Sequence, residues 1–100
     1  MVSTASGPVN CCVAQLLLEL KGISTISPLE LGEMMNMHHT RAAWILKTLS
    51  WRRDCSQSPK VLYHYTGIDK IFYQGVLGLA RKRLARLLGV TREELVEVLA

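Results

Sequence analysis

Two rhythms of apolar residues run along this chain, one helical and one alternating, and where they change marks out its elements. Val9, Cys12, Val13, Leu16, Leu17 and Leu20 recur at spacings of three and four, which places them on one face of an amphipathic helix. Pro8 or Asn10 marks its start, and Gly22, free to take a left-handed conformation, marks its end. Ser24-Thr25-Ile26 reads as a short extended piece. Leu31, Met34 and Met35 then give a second helical face, and Met37, Ala42, Ile45, Leu46 and Leu49 a third. After Leu49 the period drops to two. Trp51-Arg52-Arg53 and Val61 to Thr66 read as strands, and the polar, turn-prone segment from Asp54 to Lys60 joins them as a β-hairpin. Helical spacing returns with Ile68, Ile71, Phe72, Gly75, Val76, Leu79, Ala80, Leu84, Leu87 and Leu88, predicting a long helix ending near Gly89. Leu95, Val98 and Leu99 predict a short last one.

Local signals sharpen these boundaries. Ser27, Pro28 and Glu30 form a capping box with proline at the first helical position, where its missing N–H costs nothing. Thr91 to Glu94 repeats the box without proline. Gly32 falls where a neighbouring helix would approach, and Asn36 suits a left-handed turn between two helices. Gly75 and Gly78 each cost about 1 kcal/mol relative to alanine inside a helix, so they predict close packing or a bend. The predicted fold class is α+β, mainly helical with a small hairpin.

Composition narrows the class. One hundred residues suit a small globular chain, and a hydrophobic fraction of 49% with 20% charged residues is ordinary for one. No apolar run approaches the roughly 20 residues that span a bilayer, and the first residues lack the basic start of a secretion signal. Residues 1–8 are expected to be a flexible arm, and the protein cytoplasmic. Cys11, Cys12 and Cys55 are odd in number and contain no CxxC pair, which argues against a disulfide framework. A zinc site from Cys11, Cys12, His38 and His39 has no recognised ligand spacing and is set aside. Neither a phosphate-binding glycine loop nor a catalytic constellation is present, so no enzyme, cofactor or small-molecule substrate is expected.

Charge changes the picture most. The net charge is +4, and the first fifty residues balance to zero. Between His38 and Lys60 stand five basic residues, Arg41, Lys47, Arg52, Arg53 and Lys60, against the single acid Asp54. A polyanionic partner follows, with a solvated charged face as the plainer alternative.

The order helix, short strand, helix, turn, helix, hairpin, with Leu31-Gly32, Met35, Asn36-Met37 at the turn and Thr40 to Leu49 after it, resembles a winged helix-turn-helix. The likeness is to regulators of the MarR-like or ArsR-like kind, including small archaeal and viral versions. It covers residues 9–66, with residues 67–100 as a C-terminal helical extension. The resemblance implies a sequence-specific, double-stranded DNA-binding transcriptional regulator. Its recognition helix, about His38–Ser50, would enter the major groove, and its wing, about Trp51–Thr66, would meet backbone or minor groove. His39, Thr40, Arg41, Ala43, Trp44 and Lys47 then face DNA from the helix, and Arg52, Arg53 and Lys60 from the wing. Two departures from the usual pattern stand out: His38 and His39 occupy positions where small or hydroxyl residues are common, and Trp44 one where Arg or Lys is common.

Plainer roles stand beside these. Arg41 pairs with an acid such as Glu33, Trp44 packs under the wing or at a subunit contact, and the histidines cap the helix. The C-terminal stripe implies a homodimer through Ile68, Ile71, Phe72, Gly75, Val76, Leu79, Leu84 and Leu87, while Arg81 to Arg86 is open to a DNA-contacting role instead. The alternative function is a winged-helix protein–protein module in a transcription or replication complex.

Overall fold

The computed structural model describes the backbone of residues 6–67 and 77–99 and the side chains of 9–67 and 78–97. Among these residues it is mainly helical with a small antiparallel sheet, an α+β arrangement. The elements are α1 (Ser6–Leu20), β1 (Thr25–Ile26), α2 (Pro28–Met35), α3 (His39–Thr48), β2 (Arg52–Asp54), β3 (Leu62–His64), α4 (Leu77–Leu88) and α5 (Arg92–Leu99). They gather into two compact units, one of α1, α4 and α5 and the other of the strands with α2 and α3.

In the second unit the strand order is β1-β3-β2, with both pairings antiparallel. Ile26 stands opposite Tyr63, and Thr25 and Arg52 both stand opposite His64. Because side chains alternate across a sheet, Ile26 and Tyr63 share the buried face and Thr25, His64 and Arg52 the other. This settles which face of the tyrosine strand turns inward. Tyr65, on the same side as Tyr63 by alternation, stays exposed with its ring 5.4 Å from that of buried Trp51. β3 is shorter than the alternation predicts, and β2 is shifted by one residue: Trp51 precedes it as a core residue, and Asp54 joins it.

The α2–α3 corner follows from its caps. Ser27 Oγ accepts from the Glu30 amide and Glu30 Oε1 accepts from the Ser27 amide, both at 3.2 Å, completing the expected box. At the other end Asn36 adopts φ 54°, and the Met37 amide donates to the Gly32 carbonyl at 2.8 Å. Gly32 is buried, and a Cβ there would lie 2.7 Å from the Met37 carbonyl oxygen. The glycine therefore lets the turn fold back directly over α2. Ala42, Ile45, Leu46 and Leu49 all point inward, as their spacing predicts. The chain leaves α3 through Ser50 at φ 66°, with the Ser50 amide on Lys47 O and the Trp51 amide on Leu46 O, each at 3.0 Å. This is a Schellman closure built on serine.

The first unit departs further from expectation. α1 begins at Ser6, so the last three residues of the predicted arm are helical. It ends as predicted, at Gly22 with φ 67°. It is not amphipathic: every residue from Cys11 to Leu18 is at most 5% exposed, Gln15 included. Cys11, Ala14, Gln15 and Leu18 make a second stripe with the same three-and-four spacing, and Gln15 Nε2 donates to Glu19 Oε1 at 3.2 Å. The single polar residue on that stripe thus has a carboxylate partner for its amide one turn away.

In α4, Ala80, Leu84 and Ala85 are buried, whereas Leu79 and Leu87 are 60% and 45% exposed. Leu84 belongs to the chain's own interior, which removes it from the expected partner-facing set. The other expected dimer residues, Ile68, Ile71, Phe72, Gly75 and Val76, lie outside the described residues. At Gly78 an added Cβ would meet, among the described residues, only the Arg92 guanidinium, at 3.9 Å, so no close packing there accounts for that glycine. The second capping box forms, with Glu94 N on Thr91 Oγ1 and Thr91 N on Glu94 Oε1 at 3.1 Å. Among the described residues no helix is long and apolar enough to cross a membrane.

Candidate nucleic-acid interface

α3 and the hairpin bring all nine sequence-predicted interface residues into one unit. α3 presents His39, Thr40, Arg41, Trp44 and Lys47 as exposed side chains and Ala43 as half-buried. With the buried positions taken as the helix underside, Thr40, Trp44 and Lys47 run along the outward ridge, at i, i+4 and i+7. Arg41 sits toward one flank and His39 toward the other. Trp44 is 50% exposed, so it does not pack under the hairpin. The buried tryptophan of this region is Trp51.

The helix is capped by histidine. His38 has extended backbone, and its Nδ1 accepts from the Thr40 amide at 3.2 Å. Acceptance at Nδ1 fixes the proton of the neutral ring on Nε2. The His38 and His39 rings lie 4.3 Å apart, tilted by 32°. Leu29, Glu33, Met37 and these two rings line an open depression beside the turn. Thr48 Oγ1 donates back to the Trp44 carbonyl at 2.8 Å and so presents no free donor outward.

On the hairpin, Arg52, Arg53 and Lys60 are exposed. Register puts Arg52 on the His64 face and Arg53 on the Tyr63 face, so the two reach in opposite directions. β2 is also an edge strand, where charged side chains discourage pairing with another sheet edge.

Asp54, the one acid of the region, is already engaged. Its Oδ1 accepts from the Ser56 amide at 2.8 Å, and its Oδ2 lies 2.8 Å from His64 Nε2. Hydrogen bonds from Ser56 and then from His64 hold its carboxyl well below the ordinary carboxylate range. His64 Nδ1 is 3.0 Å from Thr25 Oγ1. A carboxylate only accepts, so Nε2 carries a proton, and the chain Thr25–His64–Asp54 ties the three strands across their outer face. Sequence reasoning missed it because the three residues lie far apart in the chain and meet only through strand register.

That leaves Arg41, Lys47, Arg52, Arg53 and Lys60. The ion pair between His64 and Asp54 is the only one among the described residues, so none of these five cations has a carboxylate partner there. Arg41 in particular makes no pair with Glu33. Nor, among the described residues, does any group of three or more His, Cys, Asp or Glu gather in a way that could hold a metal ion. No family model, curated protein or solved structure matches the chain.

Proposed function

We propose that this chain is a winged-helix, sequence-specific, double-stranded DNA-binding protein acting in transcription, in the cytoplasm and without catalytic activity. The observation that carries this reading is the set of five exposed cations on α3 and the hairpin that have no carboxylate partner among the described residues, with Asp54 bound to His64. Element order adds support: helix, strand, two helices and a hairpin, with sheet order β1-β3-β2. In this reading α3 lies in the major groove, Arg41 meets a base edge, and Lys47, Arg52, Arg53 and Lys60 meet phosphates. The exposed Leu79 and Leu87 of α4 favour a homodimer that would set two such helices on two half-sites. Sedimentation at micromolar concentration tests the dimer.

Anisotropy with random duplex DNA across salt tests the main reading. Each phosphate neutralised contributes a log–log slope of about −0.9, so the four phosphate contacts give about −3.6 per chain. Arg41→Ala relaxes specificity, costing about 1–3 kcal/mol at one base pair, whereas Lys60→Ala weakens all sequences alike. Undetectable binding at low salt, or binding indifferent to salt, refutes it. The second reading, a protein–protein module, draws on Leu29, 61% exposed at the depression beside the turn. It predicts capture of a protein partner that Leu29→Glu abolishes, with no salt-dependent DNA binding.

A further inference from the structure

The outward ridge of α3 has an unusual chemical make-up. Its centre is apolar: the Trp44 indole and the methyl of Thr40, one turn before Trp44, with the half-buried Ala43 methyl beside them on the His39 flank. Its margins are cationic, with Arg41 on one flank and Lys47 at the C-terminal end. Hydrogen-bonding capacity at the centre is small. Ala43 has none, Thr48 is spent on the Trp44 carbonyl, the indole has one donor and no acceptor, and Thr40 adds a single hydroxyl. Such a centre has no side chain able to make a bidentate contact with guanine or adenine.

The cationic margin specifies a polyanion, and the apolar centre specifies what it must find between the phosphates. In the major groove the apolar feature of a base pair is the thymine C5-methyl group. We propose that Trp44, with Ala43 and Thr40 beside it, reads thymine methyl groups, so that the preferred duplex carries thymine at the centre of each site. This rests on the DNA-binding reading and names what that surface selects. Half of Trp44 is exposed in the free chain, and covering it with a methyl removes apolar area from water on both partners.

The test compares thymine with uracil, which lacks only the methyl and keeps every hydrogen-bonding atom. A random-core duplex pool is enriched with the wild-type protein and recopied with either thymidine or deoxyuridine triphosphate. Anisotropy then compares the two copies for the wild type and for Trp44→Ala. Burial of one methyl is worth about fourfold in affinity, so the uracil copy should bind the wild type at least about fourfold more weakly. Trp44→Ala should bind both copies alike while keeping its salt dependence, and Trp44→Phe should restore part of the difference. Fluorescence of Trp51 confirms that the variants are folded. Equal binding of the two copies by the wild type overturns the thymine proposal and leaves DNA binding standing. A full thymine–uracil difference in Trp44→Ala overturns the role given to the indole. Absence of salt-dependent binding to either copy sinks the DNA reading itself.

Discussion

Replacing Gly32 with alanine places a methyl group 2.7 Å from the Met37 carbonyl oxygen, about 0.7 Å inside the 3.4 Å at which ordinary contact begins. Met37 cannot simply move away. Its own amide is bonded to the Gly32 carbonyl at 2.8 Å, so separation stretches that bond, and the His39 backbone closes the next approach at 3.4 Å. Overpacking of this kind costs about 1–3 kcal/mol, and weakening the hydrogen bond up to about 1 more. Alanine's better helix propensity returns about 1 kcal/mol. Gly32→Ala should therefore lose about 1.5 kcal/mol, within a range of about 0–3, a fall in Tm of roughly 6–12 °C. Both tryptophans, Trp44 and Trp51, lie in the unit that contains Gly32, so their fluorescence during urea unfolding reports on it directly. Gly78→Ala is the matched control. It adds the same methyl where, among the described residues, only a guanidinium lies within 4 Å, and should gain about 0.5–1 kcal/mol in a helical circular-dichroism melt. If Gly32→Ala is more stable than the parent, the close approach of turn to helix is wrong. The same displacement would tilt the start of α3, so DNA affinity should fall along with stability.

Three further outcomes follow from the geometry. Ser50→Gly relieves a left-handed serine at φ 66° and should stabilise the α3 unit by about 0.5–1 kcal/mol in urea titration; a loss would mean the serine side chain contributes something unseen. Asp54 has a depressed folded-state pKa, so its contribution is present above the ordinary carboxyl range near 4 and drains away as pH falls below it. Asp54→Asn should lower the urea midpoint at pH 7 and flatten its acid decline, and an unchanged acid limb would refute the linkage. Of three cysteines only Cys55 is exposed, while burial, and then the neighbouring Cys11, pushes the Cys12 thiol up to about 12. A thiol reagent should modify one cysteine quickly in the native protein and all three in denaturant.

Legibility in the sequence tracked how local each determinant is. The capping boxes at Ser27 and Thr91, the turn at Asn36, the glycine at 32 and the inward set on α3 all depend on residues within one or two turns, and the structure has each of them. Ser50 went unnoticed because serine carries no signal for positive φ; only the closure onto Lys47 and Leu46 demands it. The second stripe on α1 was hidden because cysteine, alanine and glutamine do not look apolar enough to compete with valine and leucine. Among the candidate interface residues, exposure was readable from helical spacing. The engagement of Asp54 was not, since strand register decides it, and register rests on contacts across the whole hairpin.

The burial of α1 bears on how the chain matures. Its packing partner α4 is separated from it in sequence by the strands, α2 and α3. During synthesis α1 emerges before the intervening unit and α4 after it, so Cys11–Leu18 remains wetted while that unit can already fold. Long sequence separation slows such closure and leaves an apolar segment open to association with other chains. A nascent chain halted before α4 would therefore be the form most prone to aggregate, and the one a chaperone would meet.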